Sequence, residues 1–287
     1  MARSTGGGAT TEQTYYENLG TAPPPRKTSL PTALFRHSAK PALLAVVVGV
    51  GLGFFLTIEP TPAWLLVVIV GLAAIGVDGI VRSYPGANLS SITETSTYAF
   101  LPALFVLSAG LLLEYTVDGR YVPLAAAGAG VVFWLTVMCE YISVNLSHSQ
   151  YGPARFVLMI VTYLTAFAFY GTIYELDVDV VPAALAVGVV STLLAIEVIR
   201  ETDLETPYVI AYAAAVGLIL GQTRVALHFL PLESFTAALF LLVVFYFING
   251  LLHANFTRSL RTSTYLEYGL VSAVGIVIVV VAALATN

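Results

Sequence analysis

This chain is built from a succession of apolar runs, each about as long as a bilayer is thick. A membrane-spanning helix needs about 20 mainly apolar residues, and such runs lie at 41–58, 62–82, 97–115, 122–144, 155–175, 181–200, 207–227, 234–254 and 264–285. Short polar or turn-forming connections separate them, as in Glu59-Pro60-Thr61-Pro62, Asp118-Gly119-Arg120 and Glu201-Thr202-Asp203. The reading is an all-α polytopic transmembrane bundle of about nine helices. With 58% hydrophobic and 10% charged residues and a mean hydropathy of +0.87, the chain lacks the polar coat that a water-soluble fold of 287 residues requires.

Residues 1–40 differ in kind. Gly6 to Gly8, a Thr- and Gln-bearing stretch and Pro23 to Pro25 carry no apolar run, so they read as a disordered tail ahead of the helical domain at 41–287. Its last part, Leu30 to Lys40, mixes apolar and basic side chains and reads either as a short segment lying at the headgroup level or as a plain basic flank. The first apolar run is long enough to span and lacks a convincing cleavage site, so it reads as a retained helix rather than a signal peptide.

Charge placement orients the bundle. With the N-terminus in the cytoplasm, Arg3, Arg26, Lys27, Arg36, Lys40, Arg82, Arg155, Arg200, Arg258 and Arg261 fall inside, and only Arg120 and Arg224 fall outside. That sorting follows the positive-inside rule, and a wrong helix count would scramble it. It places the protein in the plasma (inner) membrane with an outer C-terminus. The net charge of -5, with no basic stripe, argues against nucleic acid as a partner. Cys139, the only cysteine, reads as a small buried apolar residue and rules out a disulfide framework.

The even-numbered helices resemble one another. Pro62, Pro123 and Pro182 open three of them and Pro231 precedes the fourth. Fifteen to seventeen residues after each of the first three prolines stands a carboxylate, Asp78, Glu140 or Glu197, and Asn249 and His253 occupy that level in the fourth. One leading helix followed by four parallel hairpin repeats, spaced 52 to 62 residues apart, accounts for this; so does a general tendency of such helices to begin with proline and end in charge. Asn88, Asn145 and Asn255 open Asn-x-Ser/Thr triplets in the loops that follow, on the side where they stay unmodified. Gly49, Gly51 and Gly53, the run Ala125 to Gly130, and the ladder Ala213, Gly217, Gly221 are small-residue faces suited to close helix packing, within the subunit or between subunits.

The carboxylates lie about 22–26 Å from the outer ends of their helices, near the inner edge of the hydrocarbon. If the hairpins share an axis, Asp78, Glu140, Glu197 and His253 meet at one depth, with Arg82, Arg200 and Arg258 just beneath, as a substrate or ion pathway. The plainer reading pairs Asp78 with Arg82 and Glu197 with Arg200 along their own helices. Glu140 has no base within four residues, so it needs a partner on another helix, a bound cation or a proton. Arg224, near the outer end of helix 7, pairs with Glu175 or Glu233 or holds an anionic headgroup. No Walker A, GxSxG, HExxH or acidic metal motif is present, and no cofactor or metal is assigned. Three functions fit: a small-molecule, lipid or ion-coupled carrier; a non-catalytic subunit or scaffold of a larger membrane complex; or an intramembrane lipid-modifying enzyme using Glu140 as acid or base. The partners implied are the lipid bilayer and either further copies of the chain or other membrane subunits.

Overall fold

The computed structural model describes residues 39–83, 92–145, 148–200, 202, 204–230, 232–256 and 262–286. The polar tail through residue 38, Arg258, Arg261, Pro231, Glu201, Asp203, Asn88 and the Ser/Thr positions of the three Asn-x-Ser/Thr triplets lie outside the described residues.

Among the described residues the chain is helical throughout, with no strand: α1 (Ala39–Thr57), α2 (Ala63–Arg82), α3 (Ile92–Thr116), a 3-10 turn (Gly119–Tyr121), α4 (Val122–Ser143), α5 (Tyr151–Glu175), α6 (Val180–Ile199), α7 (Thr206–His228), α8 (Ser234–Phe256) and α9 (Thr262–Thr286). The first eight are long and apolar enough to cross a membrane, and α9 carries a further apolar stretch, Tyr268–Val281. The protein is a multi-pass membrane protein. Its helices are apolar on nearly every side, as expected where one face meets protein and the other meets lipid. Leu43, Phe54, Trp64, Ile75, Leu124, Leu185 and Leu218 are all exposed, a surface that only hydrocarbon can cover at low cost.

Helix starts follow local chemistry. Pro123 and Pro207 sit in the first turns of α4 and α7, where the missing N–H would have had no partner. Glycines set the closest approaches. The backbones of α1 and α4 meet at Gly49 and Gly130, where a Cβ on Gly49 would touch the Gly130 Cα at 3.5 Å. Those of α6 and α7 meet where a Cβ on Gly221 would stand 3.0 Å from the Ala184 carbonyl oxygen, and one on Gly217 would collide with Thr192 and the Gly188 carbonyl. All three small-residue faces thus take part in packing within the subunit.

Two apolar cores result. One gathers α1, α2, α3 and α4 around Leu52, Phe55, Val77 and Phe133. The other gathers α3, α5, α6, α7 and α8 around Leu101, Tyr170, Leu194, Leu220 and Phe245, with α3 contributing to both. Inside the second, the Tyr170 and Ser191 hydroxyls share a 2.7 Å hydrogen bond that satisfies two buried groups at once. The short connections make successive helices antiparallel, so α2, α4, α6 and α8 finish at one end of the bundle, where α3, α5, α7 and α9 begin. Among the described residues that end carries most of the bases, Lys40, Arg82, Arg155 and Arg200, with Arg120 and Arg224 at the other.

Candidate functional site

At the charged end, four helices bring two carboxylates and two guanidiniums together. Glu140, on the last turn of α4, and Glu197, on the last turn of α6, are 0% and 2% exposed. Arg200, the residue that caps α6, donates from Nη2 to Glu140 Oε2 and to Glu197 Oε1, each at 2.9 Å. Arg155, in the first turns of α5, donates from Nη1 to the same Glu197 oxygen at 2.7 Å and from Nη2 to the Glu197 carbonyl at 3.0 Å. The Tyr98 ring of α3 lies 4.1 Å below the Arg200 guanidinium, a distance at which the π-face attracts the cation. Ser143 donates to the Glu140 carbonyl at 2.9 Å and stands 3.4 Å from its Oε2.

The cluster is formally neutral. Desolvating ions is tolerated only when opposite charges and hydrogen bonds compensate, and here each carboxylate meets at least one guanidinium. The compensation is incomplete: Glu140 Oε1, Glu197 Oε2 and Arg200 Nη1 are buried and bond to nothing among the described residues.

Beside the cluster lies a cavity of about 190 Å³. Arg155 and Glu197 line it with Asn249, Gly250 and His253 of α8; Phe156, Met159, Thr162 and Tyr163 of α5, Val198 of α6 and Tyr268 of α9 complete the wall. Asn249 is fully buried, and its Nδ2 donates to the Phe245 carbonyl at 2.9 Å, which leaves Oδ1 without a partner. Phe156 and Met159 are exposed on the flank of the bundle, so the cavity reaches the lateral, lipid-facing surface.

The six residues singled out in the sequence therefore separate. Glu140, Glu197 and Arg200 share one network, and His253 lines the adjoining cavity. Asp78 and Arg82 do not join them: Arg82 Nε pairs with Asp78 Oδ2 at 2.8 Å along α2, and Arg82 also donates to Thr95 of α3 at 3.2 Å. Their helix belongs to the other core, which explains the separation. Arg258 lies outside the described residues. Two members of the network went unread in the sequence. Arg155 counted only toward orientation, and Tyr98 toward nothing; the available signal was a lone base opening an apolar helix, which has to find an acid elsewhere.

At the opposite end, Arg224 is not joined to Glu175 or Glu233. It is buried in α7 with its guanidinium 4.0 Å over the Tyr174 ring of α5, and both acids stand exposed. Among the described residues no group of three or more His, Cys, Asp or Glu side chains could hold a metal ion.

Comparison with known proteins gives one positive result: the family model described as a protein of unknown function, DUF5656, matches residues 28–282. The chain belongs to the DUF5656 family. That match embraces all eight long apolar helices, the ion cluster and the cavity, so this DUF5656 member carries its candidate site within the family's own region. No curated protein and no solved structure matches the chain.

Proposed function

We propose that this DUF5656 protein is a carrier for an amphipathic molecule, a lipid or lipid-like compound whose head donates hydrogen bonds. The observation that carries the reading is the cavity wall. Glu197 and Asn249 both line it, and each holds a buried oxygen, Oε2 and Oδ1, without a donor. A buried acceptor left unpaired costs about 1–3 kcal/mol, which a ligand hydroxyl or ammonium at this wall would recover. At about 190 Å³ the cavity is smaller than the roughly 300–1,000 Å³ of drug-sized pockets. It suits a head group whose chains leave past Phe156 and Met159 into lipid. The basic residues at this end support a cytoplasmic position for it, with the N-terminus inside.

The test is reconstitution into vesicles containing fluorescent lipids, with transbilayer movement followed by quenching from outside. Ethanolamine- and glycerol-headed lipids, which carry N–H or O–H donors, should move faster than choline-headed ones, which carry none. Asn249→Leu removes one acceptor, and Gly250→Leu drives a side chain into Tyr268, which a Cβ at Gly250 already meets. Both should abolish the head-group preference. Equal rates for all three lipids, no different from protein-free vesicles, would sink the proposal.

A further inference from the structure

The other end of the bundle, remote from the cavity, holds Arg224. Arg224 is 3% exposed. Arginine keeps its proton in proteins, so this is a permanent cation shut away from water. Buried ions persist where a counter-charge and hydrogen bonds compensate them. Arg224 makes no ion pair among the described residues. Its Nε and Nη1 are buried without an acceptor, and the nearby acids Glu175, Asp177, Asp179 and Glu233 are exposed and make no ion pair with it. What it does have is the Tyr174 ring at 4.0 Å, which fixes the plane of the guanidinium.

The four acids stand exposed, whereas the element packed beside Arg224 presents a positive end. Gly221, one turn before Arg224, packs against the carbonyl of Ala184 in the second turn of α6. Arg224 is therefore level with the first turn of α6, whose N-cap Asp179 makes no side-chain hydrogen bond to the turn's free N–H groups. A helix start of this kind favours negative charge. Phe229, Leu230 and Phe235, all exposed, bring apolar surface to the same end.

We propose that Arg224, held by Tyr174, binds a phosphate-class oxyanion, either free or as the head of an anionic lipid. The guanidinium edges match two oxygens of such a group, and the stacked ring supplies the orientation that a lysine would lack.

The experiment measures thermal unfolding of the purified full chain in detergent. Inorganic phosphate is compared with chloride at equal ionic strength, and short-chain phosphatidylglycerol with the matching diacylglycerol, which has no phosphate. At about a hundredfold excess over its dissociation constant, a ligand at this site should raise the wild-type midpoint by about 5–10 °C. A response to both probes marks a site for free anions; a response to the lipid alone marks a headgroup site. Arg224→Gln should lose the shift, and Arg224→Lys should weaken binding about tenfold. Tyr174→Leu keeps the charge and should weaken binding several-fold, which covers the case in which the glutamine variant does not fold. An unmoved wild-type midpoint with both probes overturns the proposal. So does wild-type affinity in the Lys and Leu variants.

Discussion

The ion cluster makes a quantitative prediction about Glu140. At an effective dielectric of about 20 and a charge separation of about 4 Å, one pair contributes about 4 kcal/mol of attraction. Removing the carboxylate also removes its own desolvation penalty, which offsets part of that sum. Loss of one member of a buried pair usually costs about 3–5 kcal/mol. Glu140→Gln should fall near the lower bound, about 3 kcal/mol, because Arg200 keeps Glu197 and glutamine keeps an acceptor for Nη2. Arg200→Met should be worse, about 5 kcal/mol: it leaves Glu140, at zero exposure, without its bonded guanidinium and with the Ser143 hydroxyl beside it, while Glu197 retains Arg155. The double variant removes one acid and one base, so the two losses should overlap by about 2 kcal/mol or more. Reversible unfolding by sodium dodecyl sulfate in mixed micelles, followed by tryptophan fluorescence, reads all three. If Glu140→Gln lies within about 0.5 kcal/mol of wild type, or the two changes add within that margin, Glu140 is not the buried counter-ion of Arg200.

Asp78→Asn provides the contrast. Its pair with Arg82 is local and partly exposed, so the same unfolding assay should register a loss below about 0.5 kcal/mol. Gly217→Ala places a methyl against the Gly188 backbone carbonyl, which cannot yield as a side chain can, and should cost about 1–3 kcal/mol. Gly79→Ala, with nothing within 4 Å of the added carbon, should instead leave the unfolding midpoint equal or slightly higher. Orientation is open to chemical labelling, since Cys139 is the only cysteine and is buried. In intact cells an impermeant maleimide should react with a Cys139→Ala, Asp118→Cys chain and spare a Cys139→Ala, Asn255→Cys chain; the reverse pattern would invert the proposed topology.

The helices were legible because lipid imposes a simple rule on them. Nothing in hydrocarbon can satisfy a bare backbone, so each spanning run must be both apolar and helical. The runs predicted at 122–144 and 234–254 accordingly emerge as Val122–Ser143 and Ser234–Phe256. Ends were less legible where a helix outlasts its apolar stretch. α3 begins at Ile92 rather than 97 because Thr93, Glu94 and Thr95 can continue a helix without being lipid-soluble. The site was half legible. Glu140 lacks a local base, which called for a partner on another helix, a bound cation or a proton. That the partner is Arg200, sixty positions away, depends on how α4 and α6 lie against each other, and sequence spacing carries no such information. The same holds for Arg224: two acids were within plausible reach, yet the fold turns the guanidinium toward an aromatic ring.

The distance along the chain between Glu140 and Arg200 also has a meaning in time. A ribosome adds about 5–20 residues per second, so α4 is complete several seconds before its counter-ion exists, and Arg155 emerges before the Glu197 it will hold. During that interval the α4–α5 hairpin carries one acid and one base, each without its later partner, and the bilayer interior resists both. Those charges sit at helix ends, where a side chain can still reach the headgroups, so the early helices can wait at the interface with their ionised turns wet. Only when α6 arrives can the four groups withdraw from water together. The cluster thereby links full burial of the first half of the protein to successful synthesis of the second.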